Sequence, residues 1–194
     1  MIKFIGILWA GLSQAAIATP AVDEAVHLLQ YGNLTEAEKL LSTEAEKKSS
    51  EAAFYLSQIK LFSAKPENVK EGWKLLQQAV SAGLPVALDA MAGYYLHGEF
   101  VAKDHHKALI YYQLAANRGY GPSQFNYGIM LKNGEKTPQD LEDAFVYLAL
   151  AALNLDDLGD VTEDAALYRD EVAQKLTPEI YQNALIKVNK LVRK

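Results

Sequence analysis

Apolar side chains recur along this chain at helical spacing, and the pattern then repeats as a whole. Between Val86 and Arg118, Met91, Ala92 and Tyr95 fall on one face of a first helix, and Ala108, Leu109, Tyr112, Ala115 and Ala116 form the stripe of a second. At a shift of 36 residues the same classes return as Tyr127, Gly128 and Leu131, then Ala144, Phe145, Leu148, Ala151 and Ala152. Gly98 and Gly134, Asp104 and Asp140, and Tyr111 and Tyr147 keep the same register. A weaker copy lies one period earlier, at Asn68, Gly72, Leu75, Leu76, Ala79, Val80 and Gly83. A fixed period in the range of roughly 20–50 residues marks a solenoid, in which each unit buries its apolar face against the next.

The punctuation agrees with helices joined by short turns. Pro66, Pro85, Pro122, Pro138 and Pro178 stand at predicted junctions, where the missing N–H costs nothing. Gly32, Gly83, Gly98, Gly119 and Gly134 stand at predicted helix ends. No alternating β-branched run argues for strands. The reading is all-α: an α/α solenoid of about five helical hairpins. The first hairpin is Ala21–Tyr31 with Thr35–Lys48, three units cover Ser50–Ala82, Val86–Arg118 and Pro122–Asn154, and the last is Asp160–Leu176 with Pro178–Val192. Small residues at 92/128, 108/144 and 115/151 are expected to let helix axes approach, with large side chains filling between them. Thr35 with Glu38 has the form of a capping box, Thr177-Pro178 that of a helix start, and Asp104 and Asp140 are placed to cap second helices.

Composition narrows the function. Half of the residues are hydrophobic and 22% are charged, as in a folded soluble domain. The net charge of −5 argues against nucleic acid, whose binding needs a basic footprint. With no cysteine, disulfides, thiol catalysis and thiolate metal sites are excluded. At the N-terminus Lys3, the apolar run Phe4–Leu12 and the small-x-small triplet Ala16-Ile17-Ala18 read as a signal peptide over residues 1–18, cut after Ala18. The run is short of the roughly 20 apolar residues of a membrane span. The mature chain is therefore expected to be exported, periplasmic or secreted, with no integral membrane span.

The repeat positions resemble the SEL-one-like repeat, a relative of the tetratricopeptide repeat. The second unit carries Ala87, Met91, Ala92, Tyr95, Gly98, Val101, Asp104, Lys107, Ala108, Tyr111, Tyr112, Ala115, Ala116 and Gly119 at motif positions. It departs at Met91-Ala92 for Leu-Gly, at Phe100 for the second glycine of Gly-x-Gly, and at Tyr111 for Trp. The third unit matches at Gly128, Leu131, Gly134, Asp140, Ala144, Tyr147, Ala151 and Ala152, with Leu155 for the closing glycine; the first is degenerate, with Phe62, Asn68 and Gly72 at the glycine, aspartate and alanine slots. On this reading 19–49 is a tetratricopeptide-like capping hairpin, 50–85, 86–121 and 122–155 are repeats, and 156–194 are capping helices. The resemblance implies a right-handed superhelix, protein–protein interaction and, in bacteria, often export. Some bacterial relatives are described as binding or slowly hydrolysing β-lactams, but those are cysteine-rich, and that activity is not carried over.

Candidate chemistry is sparse. His105-His106 are adjacent and point about 100° apart, so they do not chelate as an i, i+4 pair would, and no third ligand is visible. Asp156, Asp157, Asp160, Glu163 and Asp164 lack the alternation and central glycine of a calcium loop. The basic end Lys187, Lys190, Arg193 and Lys194 accompanies an apolar stripe, Ile180, Ala184, Leu185, Val188 and Leu191, expected to cap the third repeat. No phosphate loop, nucleophile elbow or zincin motif occurs. No catalytic residue, metal or cofactor is therefore assigned. The positions of the first helices that the core does not need, Asp89, Tyr94, His97, Phe125, Met130 and Asn133, are expected to line a concave face that holds a protein or peptide. Two alternatives stay open: an envelope enzyme acting on a wall component or β-lactam, with His97 as a base, and a purely structural subunit of an envelope complex.

Overall fold

A computed structural model of the chain describes residues 19–134, 139–154 and 161–193, with no side-chain detail at Val161 and Thr162. The expected signal peptide up to Ala18, Pro138, and Asp156, Asp157 and Asp160 lie outside the described residues. Those residues form ten helices and no strand: α1 (Pro20–Gln30), α2 (Leu34–Glu46), α3 (Ser50–Leu61), α4 (Pro66–Ser81), α5 (Pro85–His97), α6 (His105–Ala116), α7 (Gly121–Asn133), α8 (Leu141–Leu153), α9 (Val161–Ala173) and α10 (Pro178–Val192). Consecutive helices pair as hairpins of an α/α solenoid. The chain divides into two compact units, one ending at Ala87 and the other beginning at Leu88.

In the first unit α1, α2 and α3 close over Val22, Ala25, Ala37, Leu41, Ala52 and Leu56. The helix starts are capped locally. The Thr19 hydroxyl accepts the Val22 N–H (3.4 Å) and donates to Glu44 Oε2 (3.0 Å), and Ser49 accepts the Ala52 N–H (3.1 Å). The expected Thr35–Glu38 capping box does not form. The N-cap of α2 is Asn33, so Thr35 already lies inside the helix, and Glu38 pairs with Lys60 of α3 at 2.7 Å instead. Helix α4 approaches α3 over Gly72, where a Cβ would come within 2.7 Å of the Leu61 backbone nitrogen.

The second unit is organised around α8, whose Ala144, Phe145, Val146, Leu148 and Ala151 are buried. Tyr112 of α6, Tyr127 and Leu131 of α7, Val172 of α9 and Ala184 and Val188 of α10 pack into the same cluster. The small positions behave as the periodicity predicts: Ala92, Ala108, Ala115, Ala144 and Ala151 are all fully buried, and a Cβ on Gly128 would press on Leu148 Cγ at 2.8 Å. Lys187 ties α10 to the first turn of α8 through Glu142 and Asp143, both at 2.9 Å. These two carboxylates, Asp143 first, raise the lysine's affinity for its proton.

Both well-formed repeats turn in the same way. Asp104 and Asp140 are the N-caps of α6 and α8, each accepting the N–H three residues on at 3.0 Å. The bond from the Lys107 N–H holds the Asp104 carboxyl below its ordinary range, so this contribution is present at neutral pH and fades as pH falls. The Asp104 N–H returns to the Tyr95 carbonyl (2.9 Å) and that of Asp140 to the Leu131 carbonyl (3.1 Å). Gly98 and Gly134 end the first helices at φ +76° and +66°. At the equivalent position of the degenerate repeat Phe62 ends α3 at φ −89°, a turn that needs no glycine.

Thr177 caps α10, its hydroxyl accepting the Ile180 N–H at 3.3 Å with Pro178 in the first turn. Replacing Thr177 by Ala is expected to cost about 1 kcal/mol, seen as faster amide exchange along α10. Thr177→Asp should restore protection; an aspartate as loose as the alanine would deny the cap its role.

Candidate functional site

The six positions expected on an open face have different fates. His97 and Asn133, the last residues of α5 and α7 and one period apart, are exposed. Tyr94 is only 4% exposed and meets Phe100 edge-on, with centroids 5.0 Å apart at 86°. Phe125 is half-buried, its ring 6.1 Å from Tyr168 of α9, and Met130 packs against the core of the second unit. The large apolar side chains among the six are thus drawn wholly or partly into packing, where full burial of such a side chain contributes roughly 1.5–3 kcal/mol. They do not present the open aromatic surface that the periodicity predicts.

Asp89 goes to a different use. Its Oδ1 accepts the Ser123 hydroxyl at 2.6 Å, joining α5 to α7, and the Asn126 side chain bonds the same carboxyl. Burial pushes this carboxyl up to about 6, against the pull of the two hydrogen bonds. The charge on Asp89 in turn adds to burial in keeping the Tyr112 phenol protonated.

Phe100 is the unforeseen member of the region. It occupies the second glycine slot of the repeat motif, and its backbone keeps the glycine conformation, with φ +62°. A left-handed backbone costs an L residue roughly 1–2 kcal/mol. Phe100 nevertheless remains 38% exposed, three residues beyond His97. Its signal in the sequence is the departure itself: a bulky ring where the turn calls for glycine.

Tyrosine hydroxyls stitch the repeats together. Gln113 Nε2 donates to the Tyr127 hydroxyl (2.8 Å), and the Tyr147 hydroxyl donates to Asn117 Oδ1 (2.5 Å). The Tyr127 and Tyr147 rings meet edge-on at 4.7 Å. Burial raises both phenols, Tyr127 to about 12, so they stay neutral, the one accepting and the other donating, and serve as fixed pins. Tyr95 and Tyr111 stack at 5.7 Å, with the Lys107 ammonium 5.0 Å from the Tyr95 ring centre.

A cleft of about 410 Å³ opens beside this network, between the α6–α7 turn, α8 and the end of α10. Arg118, Gln124, Tyr147, Leu150 and Leu191 line it. Among the described residues no three His, Asp or Glu side chains gather as metal ligands. His105 is partly buried, and its Nε2 makes no hydrogen bond. No described helix is long and apolar enough to cross a membrane.

Comparison with known proteins agrees with this architecture. The Sel1 repeat family model matches residues 50–84, 85–120 and 121–154. A protective antigen of uropathogenic Escherichia coli strains, displaying an SLR fold, superimposes with a TM-score of 0.72 at 22% identity over 90% of this chain and 37% of its own. A Sel1 repeat protein from Oxalobacter formigenes is 32% identical, with a TM-score of 0.55 over 60% of this chain and 89% of its own. DAP3-binding cell death enhancer 1 of Rattus norvegicus, like that of Mus musculus, is 46% identical over 41 residues, 21% of this chain. The match spans 8% of those curated relatives' length. Three consecutive matches to the family model over more than half of the sequence, on hairpins whose caps, glycine turns and small contact residues recur in register, show that the chain belongs to the Sel1 repeat family.

Proposed function

We propose that this protein is an exported, non-catalytic scaffold that holds a protein or peptide partner through the loop side of its repeats, where His97, Phe100 and Asn133 are presented. Sel1 repeats are protein–protein interaction modules, which supports the general reading. The observation that carries the specific one is Phe100. A ring 38% exposed is kept on a left-handed backbone at a slot where the repeat motif has glycine. Strain of this kind collects at sites of recognition, and an aromatic ring with few rotamers makes a good anchor. Export rests on the leader pattern of residues 1–18.

Phe100→Gly separates the two roles. The strain relieved, roughly 1–2 kcal/mol, is offset by the lost edge contact with Tyr94, about 0.5–1.5 kcal/mol, so stability should change little. Capture of the partner from envelope and secreted fractions by Thr19–Lys194 should fall at least tenfold in Phe100→Gly and in the His97→Ala/Asn133→Ala pair. Unchanged capture by both variants would remove this face from the interface.

A further inference from the structure

The cleft between the α6–α7 turn, α8 and the end of α10 has a chemistry that the repeat fold does not require. Gln124 is 6% exposed. Its amide nitrogen donates to the Ala116 carbonyl at 3.4 Å, which fixes which end of the carboxamide is oxygen. The oxygen, Oε1, accepts no hydrogen bond from the protein. A buried acceptor left in this way is costly, and the large majority of buried side-chain polar atoms in native structures have a partner. At the mouth, Arg118 donates one hydrogen bond to the Leu114 carbonyl at 2.8 Å and has no carboxylate partner among the described residues. Ala116, Leu150, Leu191 and Tyr147, whose hydroxyl is already spent on Asn117, give the lining an apolar part, and Asn117 and Gly119 complete it. No acidic side chain lines the cleft, although the chain as a whole is negative, and Leu191 lies between Lys190 of α10 and Arg193 just beyond its end.

We propose that this cleft binds an N-acylated α-amino acid carboxylate, the chemistry shared by the last residue of a polypeptide and by a free acylated amino acid. Its carboxylate meets the Arg118 guanidinium, a fork of donors suited to two carboxylate oxygens. Its amide N–H supplies the donor that Gln124 Oε1 lacks, the side chain turning slightly to bring this solvent-inaccessible oxygen to the cleft. An aliphatic side chain fills the space between Leu150 and Leu191. About 410 Å³ holds one such residue and lies within the usual range for small-ligand sites. The site is independent of the face that carries Phe100, and neither proposal depends on the other.

The test is calorimetric titration of Thr19–Lys194 with N-acetyl-L-leucine, its amide, and a peptide with a free C-terminal leucine. N-acetyl-L-leucine is expected to bind with a Kd of roughly a millimolar, in keeping with its size. Its amide should bind at least tenfold more weakly. Arg118→Ala and Gln124→Leu should each weaken the acid at least tenfold; both leave the core intact, since Arg118 is exposed and the Ala116 carbonyl keeps its bond from the Gly119 N–H. A peptide that binds at least tenfold tighter than N-acetyl-L-leucine assigns the cleft to a polypeptide end, and equal affinity assigns it to a free acylated amino acid. No heat with any of the three probes, or equal affinity for acid and amide, overturns the proposal.

Discussion

Gly72→Ala is expected to destabilise the protein, although alanine is the better helix former by about 1 kcal/mol. Gly72 lies inside α4, where its missing side chain lets the helix rest on α3. An added Cβ would stand 2.7 Å from the Leu61 backbone nitrogen, 2.9 Å from the Ser57 carbonyl oxygen and 2.9 Å from Lys60 Cβ. Two of these three neighbours are backbone atoms, so no rotamer change relieves the clash, and α4 must move off α3. Overpacking costs typically about 1–3 kcal/mol, and rigid neighbours place this site at the upper end, leaving roughly 2 kcal/mol of net loss after the gain in propensity. Gly93 of α5 is the internal control. Its Cβ would meet only the Tyr112 hydroxyl, at 3.8 Å. Gly93→Ala should therefore stabilise by up to about 1 kcal/mol. Urea midpoints of the two variants should move in opposite directions. If both rise, the close approach of α4 to α3 is wrong.

That contrast shows what the sequence discloses and what it hides. Gly72 stands at the slot where the other repeats have Ala108 and Ala144, so its role as a contact residue was legible from the period. Short-range signals translated directly: Asp104, Asp140 and Thr177 cap the helices they precede, and the turn glycines take left-handed backbones. These choices depend on three or four neighbouring residues. Thr35 and Glu38 failed because a tertiary partner, Lys60, outcompeted a local one. Tyr94, Phe125 and Met130 failed as open-face residues for a related reason. Which side of a repeat helix stays free depends on how the next hairpin leans, and in one chain apolar side chains that anchor a partner look the same as those that fill a gap. Phe100 was visible as a departure from the motif, but its strain appears only with the backbone. The cleft had no signal at all, since Arg118, Leu150 and Leu191 share no spacing.

Asp89→Asn is expected to stabilise the protein at neutral pH and to remove a pH dependence that the natural chain should show. Burial raises the Asp89 carboxyl from an ordinary value of 3.8 to about 6. The folded state thus holds this proton more tightly than the unfolded chain does. Its contribution to stability is fully present below about pH 4, declines as pH rises toward 6, and stays lost above it. With each unit of difference equivalent to about 1.4 kcal/mol, the cost at pH 7 approaches 3 kcal/mol. Asparagine is neutral throughout, and its Oδ1 can still accept from the Ser123 hydroxyl. Its amide nitrogen would face the Asn126 side chain that bonds the carboxylate, so Asn126 must turn its oxygen inward, which reduces the gain. The net expectation is roughly 1–2 kcal/mol at pH 7. Between pH 4 and 6 the wild type should lose stability relative to the variant, an unusual sign for a carboxylate, because most are stabilised by charged partners. Ser123→Ala should raise the Asp89 value further by removing a donor to the charged form. Denaturation curves at pH 4, 5, 6 and 7 decide the matter: if the difference between wild type and Asp89→Asn is constant across the series, the buried carboxyl is not titrating where its surroundings say it should.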